Sequence, residues 1–331
     1  MESPDLKNKE KKELQEVSSS KVTCDGGGGT LGHPKIYNIG TSNENLALDN
    51  ISLDITAGSI FGLLGPNGAG KSTFINILAD LVRKSSGDIN ILEFNHASNL
   101  KKVKSLMGIV PQELNIDPFF TPFELLEIHA GLYGVSKKDR RTMEILKMLS
   151  LEDKAHVYAR TLSGGMRRRL LIAKAMVHDP AILILDEPTA GVDVGLRTIL
   201  WKNIEKLNSE GKTIIITTHY LHEAEELCNE IAIIDEGKLI AHDHTSKIKS
   251  LIDNREIKIL HQNKSDLNLS PLRNLNINLK PNGETIEINY KPSEIKFNEL
   301  LKAIYESNID IKDISIKETR LEDVFLKLTQ N

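Results

Sequence analysis

Apolar and polar positions along this chain follow two alternating periods. Ser59–Leu64, Ala181–Leu185 and Thr213–Thr217 are apolar or β-branched almost throughout, as strands buried on both faces are. Between them apolar residues recur at helical spacing, with Phe74, Ile77, Leu78 and Leu81 after the first run and Leu170, Leu171, Ala173, Ala175 and Met176 before the second. Strands alternating with helices from Ile36 to about Ala241 predict an α/β domain on a largely parallel sheet. Inside it, Thr121-Pro122-Phe123-Glu124 reads as a capping box with proline at the first helical position, opening a helix that Gly134 ends. A second helix, with Ile145, Leu146 and Leu149 on one side, is expected after Ser136.

Both ends of the chain depart from this pattern. Residues 1–33 alternate Lys with Glu, pass through Ser18-Ser19-Ser20 and reach the run Gly26–Gly29, which predicts a disordered N-terminal tail with too little apolar surface to order itself. The main domain is expected over 34–245. From 246 to 331 the chain turns rich in Asn, Lys and Ile, with strand-like EIKIL, TIEINY and IKDISI around a helical segment Phe297–Glu306 and a short closing helix Leu321–Leu328. This predicts a small α+β accessory domain, and nothing in it reads as catalytic.

Composition narrows the function. The 331 residues carry 40% hydrophobic and 27% charged side chains, the balance of a soluble globular chain. The apolar runs are far shorter than the ~20 residues a spanning helix needs, and the opening MESPDLKNKEKKELQE lacks an apolar signal core. A cytoplasmic chain is expected. Cys24 and Cys228 form no ligand cluster or disulfide framework. A net charge of −4 argues against nucleic acid as the main partner, since phosphate-backbone binding runs on excess Lys and Arg.

The chemistry concentrates in three motifs. After the first strand, Gly65-Pro66-Asn67-Gly68-Ala69-Gly70-Lys71-Ser72 leads straight into a helix. Such a loop lets successive backbone N–H groups curl around phosphate oxygens, and the helix adds its free N–H groups and positive dipole end. Lys71 supplies a charge to the β- and γ-phosphates, Ser72 a hydroxyl for a magnesium ion, and Thr73 a contact to the α-phosphate. The buried strand ending at Leu185 delivers Asp186-Glu187-Pro188, two carboxylates where parallel sheets bind ligands. Asp186 suits the metal and Glu187 can polarise an attacking water. The third motif is Leu162-Ser163-Gly164-Gly165-Met166, with Ser163 as a natural N-cap, followed by Arg167-Arg168-Arg169. Three arginines in a first turn oppose the macrodipole, so they either face solvent or gain from a nearby anion.

Together these residues resemble the ATP-binding cassette (ABC) ATPases that power membrane transporters, over about two-thirds of the chain. Gly65–Ser72 is similar to the Walker A loop, Leu162–Met166 to the signature and Ile182–Glu187 to the Walker B strand, in the family's order. The signature carries Met166 where the commonest form has Gln. The resemblance implies a P-loop NTPase fold whose helical subdomain spans about 113–162. It implies a catalytic set of Glu187, His219, Lys71 and Gln112, with Gln112 as the Q-loop residue and His219 as the switch histidine. It implies ATP contacts from Gly65, Pro66, Asn67, Gly68, Ala69, Gly70, Lys71, Ser72 and Thr73, from Tyr37 under the adenine, and from Ser163, Gly165 and the D-loop Asp193. Ser72, Gln112 and Asp186 are the implied Mg2+ ligands.

Within the family, VPQELNIDPFFTPFE, DEPTAGVDVGLR with TTHYLHEAEELC, and the closing TRLEDVFLKLT are similar to ATPases of exporters whose type-two permease is a separate chain. That implies a homodimer on the cytoplasmic face of a membrane, held there by the permease and closed head to tail by ATP. The rival readings are a soluble ABC protein of translation or DNA repair, and a regulatory module that binds ATP without turnover. The former usually carries two cassettes in one chain or a long coiled-coil insertion, and the latter fits poorly with Glu187 and His219 both present. Asn263-Lys264-Ser265-Asp266 matches the guanine-reading tetrapeptide of GTPases but lies far too late in the chain.

Overall fold

The computed structural model describes residues 21–25, 35–37, 45–85, 87–192, 194–262, 267–317 and 319–329. The chain divides between His244 and Thr245 into two compact units. The first begins with strands β1 (Lys21–Asp25), β2 (Lys35–Tyr37), β3 (Asn45–Leu48), β4 (Leu53–Thr56) and β5 (Ile60–Leu64), then helix α1 (Lys71–Leu78). It continues through β6 (Asp88–Ile91), β7 (Phe94–Asn95), α2 (Leu100–Leu106), β8 (Met107–Val110), α3 (Pro122–Leu132), α4 (Thr142–Met148) and α5 (Gly164–Met176). It closes with β9 (Ile182–Asp186), α6 (Val194–Ser209), β10 (Thr213–Thr218), α7 (Leu221–Leu227), β11 (Glu230–Asp235) and β12 (Lys238–His244).

The central sheet runs β12-β11-β5-β10-β9-β8, parallel except for the antiparallel edge pair β11 and β12. Every residue of β5 and β10 is buried, which is why their sequences read as continuous rather than alternating apolar runs. A second, antiparallel sheet runs β4-β1-β6-β7. Its strand β1 corrects the tail expectation at Lys21–Asp25. Those residues pair with β4 on one side and β6 on the other, and Val22 is buried. The β-branched pair Val22-Thr23 completes a ladder between two existing strands, a long-range gain that tail-like composition conceals. Residues 1–20 and 26–33 of the expected tail lie outside the described residues.

Among the described residues, helices and short turns alone fill the stretch between β8 and β9. At the start of α3 the capping box forms in full: the Thr121 N–H donates to the Glu124 carboxylate at 2.9 Å and the Glu124 N–H to the Thr121 hydroxyl at 3.2 Å. The Thr121 N–H and hydroxyl, both donating to the Glu124 carboxylate, hold it below the usual range. Thr121→Ala is expected to cost about 1 kcal/mol, read as a lower denaturant midpoint at unchanged slope. Gly134 follows α3 with φ 74°, a left-handed turn that ends the helix region as expected. α4 starts at Thr142, later than the sequence suggests. Arg140 turns back to the Val135 carbonyl (3.1 Å) and the Glu127 carboxylate (2.7 Å), so the chain between makes only a single tight turn over Lys137–Asp139.

The second unit contains α8 (Thr245–Ser250), β13 (Arg255–His261), α9 (Ser270–Arg273), β14 (Asn278–Asn282), β15 (Thr285–Tyr290), α10 (Phe297–Glu306), β16 (Ile311–Lys317) and α11 (Leu321–Thr329). Its antiparallel sheet runs β14-β15-β13-β16. Ile257, Ile259, Ile286 and Ile288 alternate inward along β13 and β15 and bury Leu300, Ala303 and Ile304 of α10 against them.

Candidate functional site

Four adjacent parallel strands end at one level. The register pairs Leu64 of β5 with Thr218 of β10, Thr217 of β10 with Asp186 of β9, and Leu185 of β9 with Val110 of β8. Ligands bind outside the carboxyl ends of such strands. The segments leaving these four ends carry Gly65–Ser72, His219, Glu187 and Gln112.

The loop after β5 has room for glycine only at its two close approaches. A Cβ at Gly65 would collide with the Ile234 carbonyl, and one at Gly70 would sit 2.6 Å from the Ala47 carbonyl of β3. Gly70 also caps α1 at φ 106°, a conformation that side chains disfavour. Pro66, Asn67 and Gly68 are exposed, Ala69 is buried, Ser72 is exposed and Thr73 half-buried. Lys71 is buried at the first turn of α1, its ammonium donating to the carbonyls of Gly65 (2.8 Å) and Pro66 (2.9 Å). Burial pushes its pKa down, and the charges of Glu187 and Asp186 pull it back up. A helix N-terminus with a buried cation is a site in want of an anion.

Glu187 is the meeting point of the other segments. Its N–H donates to the carbonyl (3.1 Å) and hydroxyl (3.0 Å) of Thr217, and its φ of 46° bends the chain sharply just after β9. Gln112 donates its amide N–H to one carboxylate oxygen at 2.8 Å, and His219 Nδ1 stands 3.0 Å from the other. The Glu187 side chain is 11% exposed, so its carboxylate is fixed from both sides with little access to bulk water. Its neighbour Asp186 accepts instead from the Thr217 hydroxyl. The two carboxylates therefore have different partners, which is how adjacent acids come to hold different tasks.

Ser163 caps α5, its hydroxyl accepting from the Met166 N–H at 3.3 Å. Gly165 lies against Leu196, which a Cβ there would strike at 2.7 Å. Two of the three arginines that follow do not face solvent. Arg168 is 3% exposed and donates to the carbonyls of Pro111 (2.9 Å) and Glu187 (3.4 Å). Arg169, also buried, donates to the carbonyls of Leu149 (2.8 Å) and Ser150 (2.9 Å) just beyond α4. Arg168 thus clamps the segment bearing Gln112 to the one bearing Glu187, a positioning role that sequence reasoning missed. Burial lowers its pKa, with Asp186 and Glu187 opposing the shift.

Tyr37 ends β2, opposite Asn45 of β3, the strand whose Ala47 and Leu48 lie against Gly70. Asp193 and Asn263–Asp266 lie outside the described residues. Among the described residues no trio of His, Cys, Asp or Glu could hold a cation unaided. The oxygen donors present, the Ser72 hydroxyl and Asp186 carboxylate with the Gln112 amide, suit magnesium, which keeps several waters and binds through one or two protein oxygens plus phosphates.

The family model for ABC transporters matches residues 48–190. The Nod factor export ATP-binding protein I of Cupriavidus metallidurans is 37% identical over 291 residues, 86% of this chain and 93% of its own. That of Rhizobium johnstonii is 34% identical over 293 residues, 86% and 90%. Among solved structures, a dimeric ATP-binding cassette in a post-hydrolysis state with bound ADP and Pi covers 68% of this chain and 98% of its own, at TM-score 0.59 and 28% identity. A further dimeric structure, of a bacterial ABC transporter cassette, matches with the same figures.

Proposed function

This chain is an ATPase of the ABC transporter ATP-binding family, and on that premise we propose that it is the ATP-hydrolysing subunit of an exporter, driving a separate membrane permease through ATP-dependent dimerisation. The observation that carries this reading is the convergence of Gln112 and His219 on the two oxygens of Glu187, in a site whose carboxylates also act on the Lys71 charge. The export named for the relatives supports the direction.

In the proposed cycle, backbone N–H groups of Gly65–Ser72 and the Lys71 ammonium bind the triphosphate, Thr73 contacts the α-phosphate and Tyr37 backs the adenine. Glu187 takes a proton from the attacking water, held in register by Gln112 and His219. Magnesium, held by Ser72, Asp186 and Gln112, would offset charge on the phosphates. The second copy supplies Ser163, the Gly165 N–H and Asp193 to the same nucleotide, so that ATP glues two chains and hydrolysis releases them.

The permease is assigned to the surface around Gln112 and Pro118–Glu124, at the start of the helical stretch of about 113–162. Exposed Leu114, Phe119 and Phe120 stand close in sequence to Gln112, coupling docking to the catalytic carboxylate. No helix among the described residues is long and apolar enough to cross a membrane. Attachment to the cytoplasmic face is assigned to that partner. Affinity purification of the full chain from detergent-solubilised membranes is expected to recover a polypeptide with about six apolar spans, together with vanadate-sensitive ATPase activity. Phe119→Asp should lose the partner and keep the ATPase of the free chain. Recovery with ribosomes or DNA instead would favour the reading as a soluble ABC protein.

A further inference from the structure

The accessory unit presents the two edges of its sheet in different ways. Edge strand β14 contains Pro281, which offers no N–H to a newcomer. Edge strand β16 has no proline, and all seven of its residues are exposed. Its ladder with β13 is regular from Lys317, opposite Glu256, to Asp313, opposite Leu260, and then shifts so that His261 faces Ile311. The extra residue, Lys312, turns Ile311 onto the face that carries Ile314 and Ile316. Their ladder partners Ile257 and Ile259 are fully buried on that face, yet Ile311, Ile314 and Ile316 remain 41%, 39% and 46% exposed. An open edge with a row of isoleucines is a template for another strand.

The regular segment Asp313–Lys317 specifies which strand. Laid antiparallel to a second copy about a two-fold axis at Ser315, it sets Asp313 opposite Lys317, Ile314 opposite Ile316 and Ser315 opposite itself, so that all five residues pair. Directly opposite residues share a face, so unlike charges meet on one side and isoleucines on the other. With the axis at Ile314, Ile316 would meet Lys312; with the axis at Asp313 or Lys317, like charges would meet. Both charged groups are loosely engaged within the chain. Among the described residues Lys317 stands 3.7 Å from Glu256, and the Asp313 carboxylate accepts from the adjacent Ile314 N–H, a local bond that strand pairing would exchange for a ladder bond.

We propose that β16 joins two copies of this chain edge to edge in that register, merging two four-stranded sheets into one of eight strands without nucleotide. The contact is independent of the ATP-driven pairing of the nucleotide-binding domains. Its consequence would be to hold two such domains at roughly millimolar effective concentration between cycles.

The test is sedimentation equilibrium of the full chain in EDTA without nucleotide. A dimer is expected. Asp313→Lys and Lys317→Asp should each weaken it by roughly tenfold, because every swap sets two like-charged pairs in the symmetric contact, and the double swap should restore it. Ser315→Cys should form a disulfide-linked dimer under mild oxidation, since opposite Cα atoms lie about 4.5–5.5 Å apart, within disulfide reach. Lys280→Cys on β14 should not. A monomer at every concentration, single swaps without effect, a double swap that fails to recover, or equal cross-linking at position 280 would overturn the proposal. None of these outcomes touches ATP hydrolysis, which is measured separately.

Discussion

Glu187→Gln is expected to lower ATP turnover of the full chain by about 10²–10⁴-fold, the range for losing a general base, while ATP still binds. The substitution keeps the shape of the side chain and its place in the fold. The main-chain N–H of residue 187 still donates to Thr217, and an amide can still meet both Gln112 and His219. What it removes is the capacity to accept a proton at a carboxylate held between two fixed partners and only 11% exposed. Binding without hydrolysis should then trap the closed pair of chains. Steady-state phosphate release and size exclusion with saturating ATP measure the two halves of this prediction. Full turnover with no ATP-dependent dimer would remove Glu187 from its assigned role.

The elements that position this site were legible because they are written locally. Glycines at fixed intervals, a strand that is apolar throughout and an Asp-Glu pair at its end constrain the backbone within a few residues. Each therefore survives translation from sequence into structure: the loop from Gly65 joins β5 to α1, and Asp186 closes β9. What stayed hidden depends on residues distant in sequence. Arg168 sits in a basic triplet whose sequence leaves a solvated face and a nearby anion both open, and only the tertiary fold brings the carbonyls of Pro111 and Glu187 within its reach. Likewise Val22-Thr23 gains its strand from partners around 55 and 90, which tail-like composition cannot register. The bulge at Lys312 is of the same kind. The run IKDISI announces a strand, but the displacement of Ile311 onto the isoleucine face is set by β13.

Lys71→Ala should weaken ATP binding by about 10–100-fold, the value of one charge-assisted contact to phosphate, with turnover falling at subsaturating nucleotide. The reasoning turns on where the charge now sits. Lys71 is buried, its ammonium held by the carbonyls of Gly65 and Pro66, and burial already lowers its pKa against the pull of Glu187 and Asp186. A cation placed so deep at a helix N-terminus opposes the macrodipole, and its removal should cost the unliganded fold little. Its use must therefore be sought in the ligand. The expected signature is a split between two measurements on the same variant: a thermal midpoint close to that of the parent chain without nucleotide, and an ATP titration displaced to higher concentration. An unchanged titration would mean that the backbone N–H groups of the loop bind the triphosphate alone. A collapse of the unliganded fold would instead make Lys71 a structural strut for the Gly65 and Pro66 carbonyls, with its contact to phosphate secondary.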